Sequence, residues 1–254
     1  MRRVVPNLSL ANGLIVSNVW LLVHQGRRVL VDTGHGLERP MLRRQLWRAG
    51  VRGRGDLDLV LLTHRHSDHA GNAAWLRRTF GAPVACHELD ARELSGRAAP
   101  LPMVPGARWP HERLLCLLED HFPARCDIDE TFTDGATMRG FRVFHIPGHT
   151  NGSVILHHEA TGTLFTGDVI VAGIPPLRLL EYPRLAVRGF SCDVELCHAR
   201  ARAFLEDLPP TEVLCSGHGP PIVGDVEKKL ARLRLPVAVS PSETAAGPVH
   251  RTRA

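Results

Sequence analysis

The chain has 254 residues, 44% hydrophobic and 22% charged, which suits a soluble globular protein and includes no run near the ~18 apolar residues of a membrane span. The net charge of +5 would allow a nucleic-acid partner, yet all but two of the 31 basic residues are arginine, scattered among Ala, Gly and Pro. Neither a nucleic-acid nor a membrane partner is expected, and six cysteines without a Cys-x-x-Cys pair read as buried reduced thiols of a cytoplasmic protein.

The opening Met1-Arg2-Arg3-Val4-Val5-Pro6 lacks the long apolar stretch and cleavage site of a signal peptide and reads as native structure. The first thirty residues read as β structure. Leu14-Ile15-Val16 and Val19–Val23 lead through Gln25-Gly26-Arg27 to Arg28–Asp32, a hairpin stopped by Thr33-Gly34. A helix is predicted over Glu38–Ala49, closed by Gly50, with Met41, Leu42, Gln45, Leu46 and Ala49 near helical spacing. Leu57–Leu62 is an apolar run of strand length, and a histidine-rich loop follows it directly. Ala70–Phe80 has helical character and Pro83–Cys86 returns as a strand. Strand, loop, helix and strand make a βαβ unit, whose strand C-terminal ends are where open α/β sheets place ligands.

Residues 97–125, rich in Pro and Gly around a helical His111–Asp120, are expected to form an inserted flap. Strands are predicted at Gly140–Ile146, Ser153–His157 and Thr163–Phe165, a helix at Ser191–Leu208, a strand at Glu212–Cys215 and a short helix at Val226–Leu233. One domain over 1–235 is expected, with 236–254 a polar, aperiodic, disordered tail. Two β-rich halves, each followed by helices, suit a pseudo-duplicated sandwich.

The chemistry concentrates in Thr63-His64-Arg65-His66-Ser67-Asp68-His69-Ala70-Gly71, where three imidazoles and a carboxylate fall within six positions. His64 and His66 share one face of an extended loop, since alternate residues point the same way. Asp68 and His69 lie where the chain turns towards the helix and so face elsewhere, towards a second ion. His149, Asp168 and His218 follow, each preceded by a glycine near the end of a predicted strand, where the backbone can turn tightly. Imidazole and carboxylate without cysteine argue for Zn²⁺, Fe²⁺ or Mn²⁺ and against a closed structural zinc site. Two such ions would lie about 3.5–4 Å apart. Isolated histidines such as His145, His157 and His198 are expected to be surface or satisfied core residues.

In order and spacing these seven residues are similar to the ligand set of the metallo-β-lactamase superfamily, over Val29 to Val223. The resemblance implies an α/β fold, a four-layer αβ/βα sandwich with its metals at the edge of the two sheets. It places the first metal on His64, His66 and His149, the second on Asp68, His69 and His218, with Asp168 bridging both. Asp32 takes the position of an early strand-end aspartate that supports a ligand histidine from behind. Two Zn²⁺ per chain are expected, with Fe²⁺ or Mn²⁺ as alternatives. Two dications lower the pKa of a shared water, the resulting hydroxide attacks a carbonyl-like centre, and a metal stabilises the oxyanion. Asp68 is the expected catalytic residue, orienting the nucleophile, and no covalent intermediate is expected.

An aspartate at 168 resembles thioesterases of the glyoxalase II type and lactonases; true β-lactamases use cysteine or serine near that position. Gly148-His149-Thr150-Asn151-Gly152-Ser153 and Phe165-Thr166-Gly167-Asp168 resemble the glyoxalase II type most. The basic residues that grip glutathione there have no counterpart beyond Lys228, Lys229 and a few arginines. Lactonases use a tyrosine soon after the bridging aspartate, whereas Tyr182 lies fourteen residues on. The implied activity is a dinuclear zinc-dependent hydrolase acting on a small ester, thioester or lactone. A mononuclear iron persulfide dioxygenase on the same scaffold is the alternative; a β-lactamase and a non-catalytic metal-binding effector are weaker ones. Substrate selection is expected in the flap around 100–125 and in Ile174–Phe190. Their leucines, Trp109 and Phe122 would form an apolar wall, and Arg178, Arg184 or Arg188 would meet an anion.

Overall fold

A computed structural model describes residues 1–103, 109–173 and 181–235. Strands β1 (Arg2–Val5), β2 (Leu8–Leu10), β3 (Trp20–His24) and β4 (Arg27–Val31) pair antiparallel in turn. Strands β5 (Leu59–Leu61), β6 (Val84–His87) and β7 (Glu130–Phe132) then add in parallel, completing a seven-stranded sheet in chain order. Parallel neighbours need crossovers. These carry α1 (Arg39–Arg48), α2 (Ser67–Ala70) with α3 (Ala73–Phe80), and α4 (Glu88–Leu94) with α5 (Pro110–His121).

The second sheet joins β8 (Thr137–Met138), β9 (Phe141–His145), β10 (Val154–His158), β11 (Thr163–Gly167), β14 (Val213–Ser216) and β15 (Ile222–Val223) in the order β15-β14-β11-β10-β9-β8. Strands β12 (Ile170–Val171) and β13 (Arg184–Leu185) form a separate ribbon, and α6 (Val194–Glu206) and α7 (Val226–Leu230) complete the elements.

Side-chain alternation explains the layering. Val29, Val31, Leu59 and Leu61 face Val154, Leu156, Phe165 and Cys215 in a core between the sheets, with Trp20 and Phe141 among its largest members. Their neighbours Leu30, Val60 and Leu62 turn the other way, onto Leu42 and Leu46 of α1 and Leu76 and Phe80 of α3. On the far side, Ile155, Leu164 and Leu214 meet Cys197, Ala201, Phe204 and Leu205 of α6. Helices therefore cover both outer faces, and the central strands read as unbroken apolar runs because neither face is wet. This is the expected αβ/βα sandwich.

Several element boundaries differ from the sequence reading. Leu14-Ile15-Val16 is a turn-and-bend segment with Ile15 exposed, not a strand. The predicted helix over Ala70–Phe80 is two, α2 and α3, separated at Gly71-Asn72. Helix α4 went unread. The terminal helix is α7 followed by a 3-10 turn over Ala231–Arg234. The tail at 236–254 lies outside the described residues. Among the described residues no helix is long and apolar enough to cross a membrane.

Leu156 is fully buried between the sheets, far in sequence from the histidine loop. Leu156→Ala is expected to lose about 2–5 kcal/mol of unfolding free energy, as cavity-forming truncations do. Denaturant titration reads this directly, and a loss below about 0.5 kcal/mol would contradict the packing described, being the size of a surface substitution.

Candidate metal centre

Five strand ends converge. Strands β4 and β5 are parallel, and β9, β11 and β14 share one direction, because β10 pairs antiparallel with both its neighbours and β11 pairs parallel with β14. Beyond their C-terminal ends come, in turn, Asp32, the 64–69 loop, His149, Asp168 and His218. The result is three overlapping donor groups: His64, His66 and His149; His64, Asp68 and His69; His69, Asp168 and His218. Within each group the ligand atoms lie within 4.8 Å of one another. All seven sequence-predicted donors thus meet in one place.

Hydrogen bonds behind the rings assign their tautomers. The Thr63 hydroxyl donates to Asp32, at 2.8 Å from Oδ2, and therefore accepts from His64 Nδ1–H at 3.1 Å. Ser191 Oγ donates to the Val187 carbonyl at 2.8 Å and accepts from His149 Nδ1–H at 3.1 Å. His69 Nδ1–H donates to Asp32 Oδ2 at 2.8 Å. His64 and His149, both held neutral, are each left with an unprotonated Nε2 turned inwards. His64 Nε2 and His149 Nε2 face each other at 3.2 Å, two lone pairs with no proton to share.

Burial pushes His64 and His66 well below the ordinary imidazole range, with neighbouring imidazoles adding to it, and lowers His149 to about 4. These three are neutral donors. The other half behaves oppositely. Burial alone would lower His69 and His218, but Asp68 and Asp168 hold His69 well above its usual value and raise His218 to about 9. Burial likewise opposes ionisation of the two aspartates, yet His69 and His218 outweigh it and keep Asp68 low and Asp168 lower still.

The donor set fits divalent metal. His66 Nε2 is buried and makes no hydrogen bond, which is expensive unless a cation completes it, while His69 Nε2 and Asp168 Oδ1 meet as a buried ion pair at 3.3 Å. Two glycines that precede ligand histidines are required for different reasons. Gly148 sits at φ +118°, in the left-handed region, against Cys197 of α6. Gly217 is there for space rather than a turn, since a Cβ would overlap Asp168 Oδ1 and His69 Cε1.

Asp32 lies behind His69, and its backbone shows strain: it is one of the few non-glycine residues at positive φ, +59°. Its carboxylate holds the Thr63 N–H at 2.8 Å as well as the Thr63 hydroxyl and His69. Other supports escaped the sequence reading. Ser17 Oγ donates to the Asp68 carbonyl, and Asn18 Nδ2 donates to Ser216 O at 3.0 Å and Gly219 O at 2.8 Å. On α4, Asp90 accepts from Thr150 Oγ1 at 2.8 Å and Gly152 N–H at 2.7 Å, and burial raises it to about 6. Glu93 pairs with Arg65 and accepts from Asn151 Nδ2 at 2.9 Å. One helix face, three residues apart, so braces both the 64–69 loop and the His149 loop.

Some expectations about the cleft change. The flap leucines Leu114, Leu115, Leu117 and Leu118, with Trp109 and Phe122, are exposed. Arg188 pairs with Glu195, and the exposed Tyr182 ring lies under the Arg232 guanidinium at 4.2 Å. Arg184 lies on β13, and Arg178 falls outside the described residues. His145, His157 and His198 each bond a backbone carbonyl, at 2.8, 3.1 and 2.8 Å, as structural residues do.

Residues 12–218 match the family model described as the metallo-beta-lactamase superfamily. The chain belongs to that superfamily. Among curated relatives of this metallo-beta-lactamase-superfamily member, the probable metallo-hydrolase YybB of Bacillus subtilis is 26% identical over 183 residues, 68% of this chain and 69% of its own. The acyl-coenzyme A thioesterase MBLAC2 of Gallus gallus is 30% identical over 209 residues, 76% of this chain and 71% of its own. A crystal structure of TTHA1623 in a di-iron-bound form shares the fold at TM-score 0.60 and 24% identity, covering 87% of this chain and 95% of that one.

Asparagine tolerates the left-handed backbone, so Asp32→Asn removes the charge while keeping the turn. Its metal affinity is expected to fall about 10–100-fold, read by competition with a chromogenic chelator. Affinity equal to the wild type's would remove Asp32 from this role. Because His69 and His218 are raised, with His218 at about 9, the metal-free cluster holds protons at pH 7 that metal must displace. Metal loading in weak buffer is expected to release protons, and apparent affinity to climb as pH rises towards about 9. A pH-independent affinity from neutrality upwards would contradict it.

Proposed function

We propose that this protein is a two-metal hydrolase that cleaves a small thioester, ester or lactone. The observation carrying the reading is the reach of Asp168. Its carboxylate lies 3.8 Å from His149 Nε2 in one half and 3.3 and 3.1 Å from His69 and His218 Nε2 in the other. One carboxylate between two imidazole clusters is suited to bridging two ions.

His64, His66 and His149 would hold the first ion, Asp68, His69 and His218 the second, with Asp168 shared. Zinc is the ion we assign; imidazole and carboxylate donors without thiolate suit it, as they also suit Fe²⁺ or Mn²⁺. When bound, such ions supply Lewis acidity and make water nucleophilic near neutral pH. The chain's residues do the rest. Asp68 Oδ2, 3.4 Å from His218 Nε2 and 3.5 Å from His69 Nε2, orients the attacking water and accepts its proton. Thr63, Ser191 and Asp32 keep the rings aimed, so little reorganisation accompanies the reaction. Similarity to the thioesterase MBLAC2 supports a thioester among the candidate bonds. We place the protein in the cytoplasm on its six unpaired cysteines.

Protein purified without added metal is expected to carry about two equivalents of zinc and to turn over members of a thioester, ester and lactone panel. Chelation abolishes turnover and zinc restores it. Asp68→Ala is expected to lower kcat/KM by about 10²–10⁴-fold. A single equivalent of iron, with oxygen consumed on addition of a persulfide, would overturn the assignment in favour of a dioxygenase.

A further inference from the structure

Helix α5 is amphipathic in the wrong sense for a docked helix. Leu114, Leu115, Leu117 and Leu118 are exposed, as is Phe122 just beyond it, while the inward face presents Glu112, Cys116 and Glu119. These three lie at i, i+4 and i+7, on one stripe. Of them only Cys116 is completely buried. Among the described residues, apolar burial therefore contributes little to holding α5 in place, and polar contacts carry much of it.

Those contacts fall on the two flanks of the metal centre. Glu119 Oε1 accepts from the Ser67 N–H at 2.9 Å, and Oε2 accepts from the Ser67 hydroxyl. Ser67 is the first residue of α2, the turn that carries Asp68 and His69, and His66 before it provides no side-chain cap. Glu119 thus satisfies, from another helix, a backbone donor that the local sequence leaves open. On the other flank, Cys116 Sγ–H donates to the Gly189 carbonyl at 2.8 Å. The Glu112 carboxylate packs so closely there that a Cβ on Gly189 would come within 3.1 Å. Two residues further, Ser191 accepts from His149.

We propose that Glu119 is a positioning residue that ties α5 to the α2 turn, so that the helix and the Asp68/His69/His218 half of the centre are set as one unit. The inference rests on the two-metal reading of the site. It places the dependence in the second half because the residue Glu119 holds, Ser67, opens the α2 turn that carries Asp68 and His69. Binding in that half must by reciprocity steady α5.

The test uses the full-length chain, stripped with chelator and titrated calorimetrically with Zn²⁺. The wild type takes two equivalents. In Glu119→Ala the first is expected to bind as in the wild type and the second about 10–100-fold more weakly. Glu119→Gln is expected to restore it, because the amide oxygen accepts the Ser67 N–H and the amide nitrogen donates to the hydroxyl. Equal second-site affinity in Glu119→Ala overturns the proposal, as does loss of both equivalents together, which marks a general structural defect. Should the wild type take a single equivalent, the two-metal reading fails and the coupling to a second ion fails with it. The tether is then judged separately by amide hydrogen exchange of residues 110–121 in metal-free protein. Faster exchange in Glu119→Ala and not in Glu119→Gln upholds it, and unchanged exchange refutes it.

Discussion

Two unprotonated imidazole nitrogens, His64 Nε2 and His149 Nε2, face each other at 3.2 Å in a buried pocket. Neither can donate to the other, because each ring has already committed its only proton to a hydroxyl behind it. Lone pairs brought together in this way repel and are cut off from water, so the arrangement is tolerable only around a cation. Much of the surrounding structure, from the Thr63 and Ser191 hydroxyls to the left-handed turn at Asp32, serves to keep those protons facing outwards.

The two halves of the centre solve the same problem with opposite electrostatics. One half is three neutral imidazoles, kept neutral by burial. The other pairs two ionised aspartates with two imidazoles that hold protons more tightly than usual. Asp168 touches both, and displacing those protons would turn the second half from charge-balanced to anionic while the first stays neutral, a difference across a few ångströms. Such a gradient suits ions that share a ligand while differing in affinity, and it makes loading sensitive to pH.

Support comes from elements distant in the chain. Strands from both sheets aim their ends at one edge, α4 braces two ligand loops with Asp90 and Glu93, and the Ser17-Asn18 segment crosses to hold the loops of Asp68 and His218. Helix α5 is different in kind, turning its leucines to solvent and its carboxylates to the site. An element held by few polar contacts is the one whose position can follow the state of the centre.

What the sequence alone determined was the local chemistry. His-x-His-x-Asp-His is compact enough to be recognised without a fold, and His149, Asp168 and His218 stand out through their glycine neighbours at strand ends. Apolar runs of strand length such as Leu57–Leu62 announced strands. The bracing groups were not legible, because a hydrogen bond between Asp90 and Thr150 or between Glu119 and Ser67 leaves no periodicity in either segment. Leu14-Ile15-Val16 looked like a strand by composition, yet the contacts of Ser17 and Asn18 with the Asp68 and His218 loops decided its path. Only the tertiary structure could settle which way the α5 leucines face, since a helical stripe defines a side but not what lies against it.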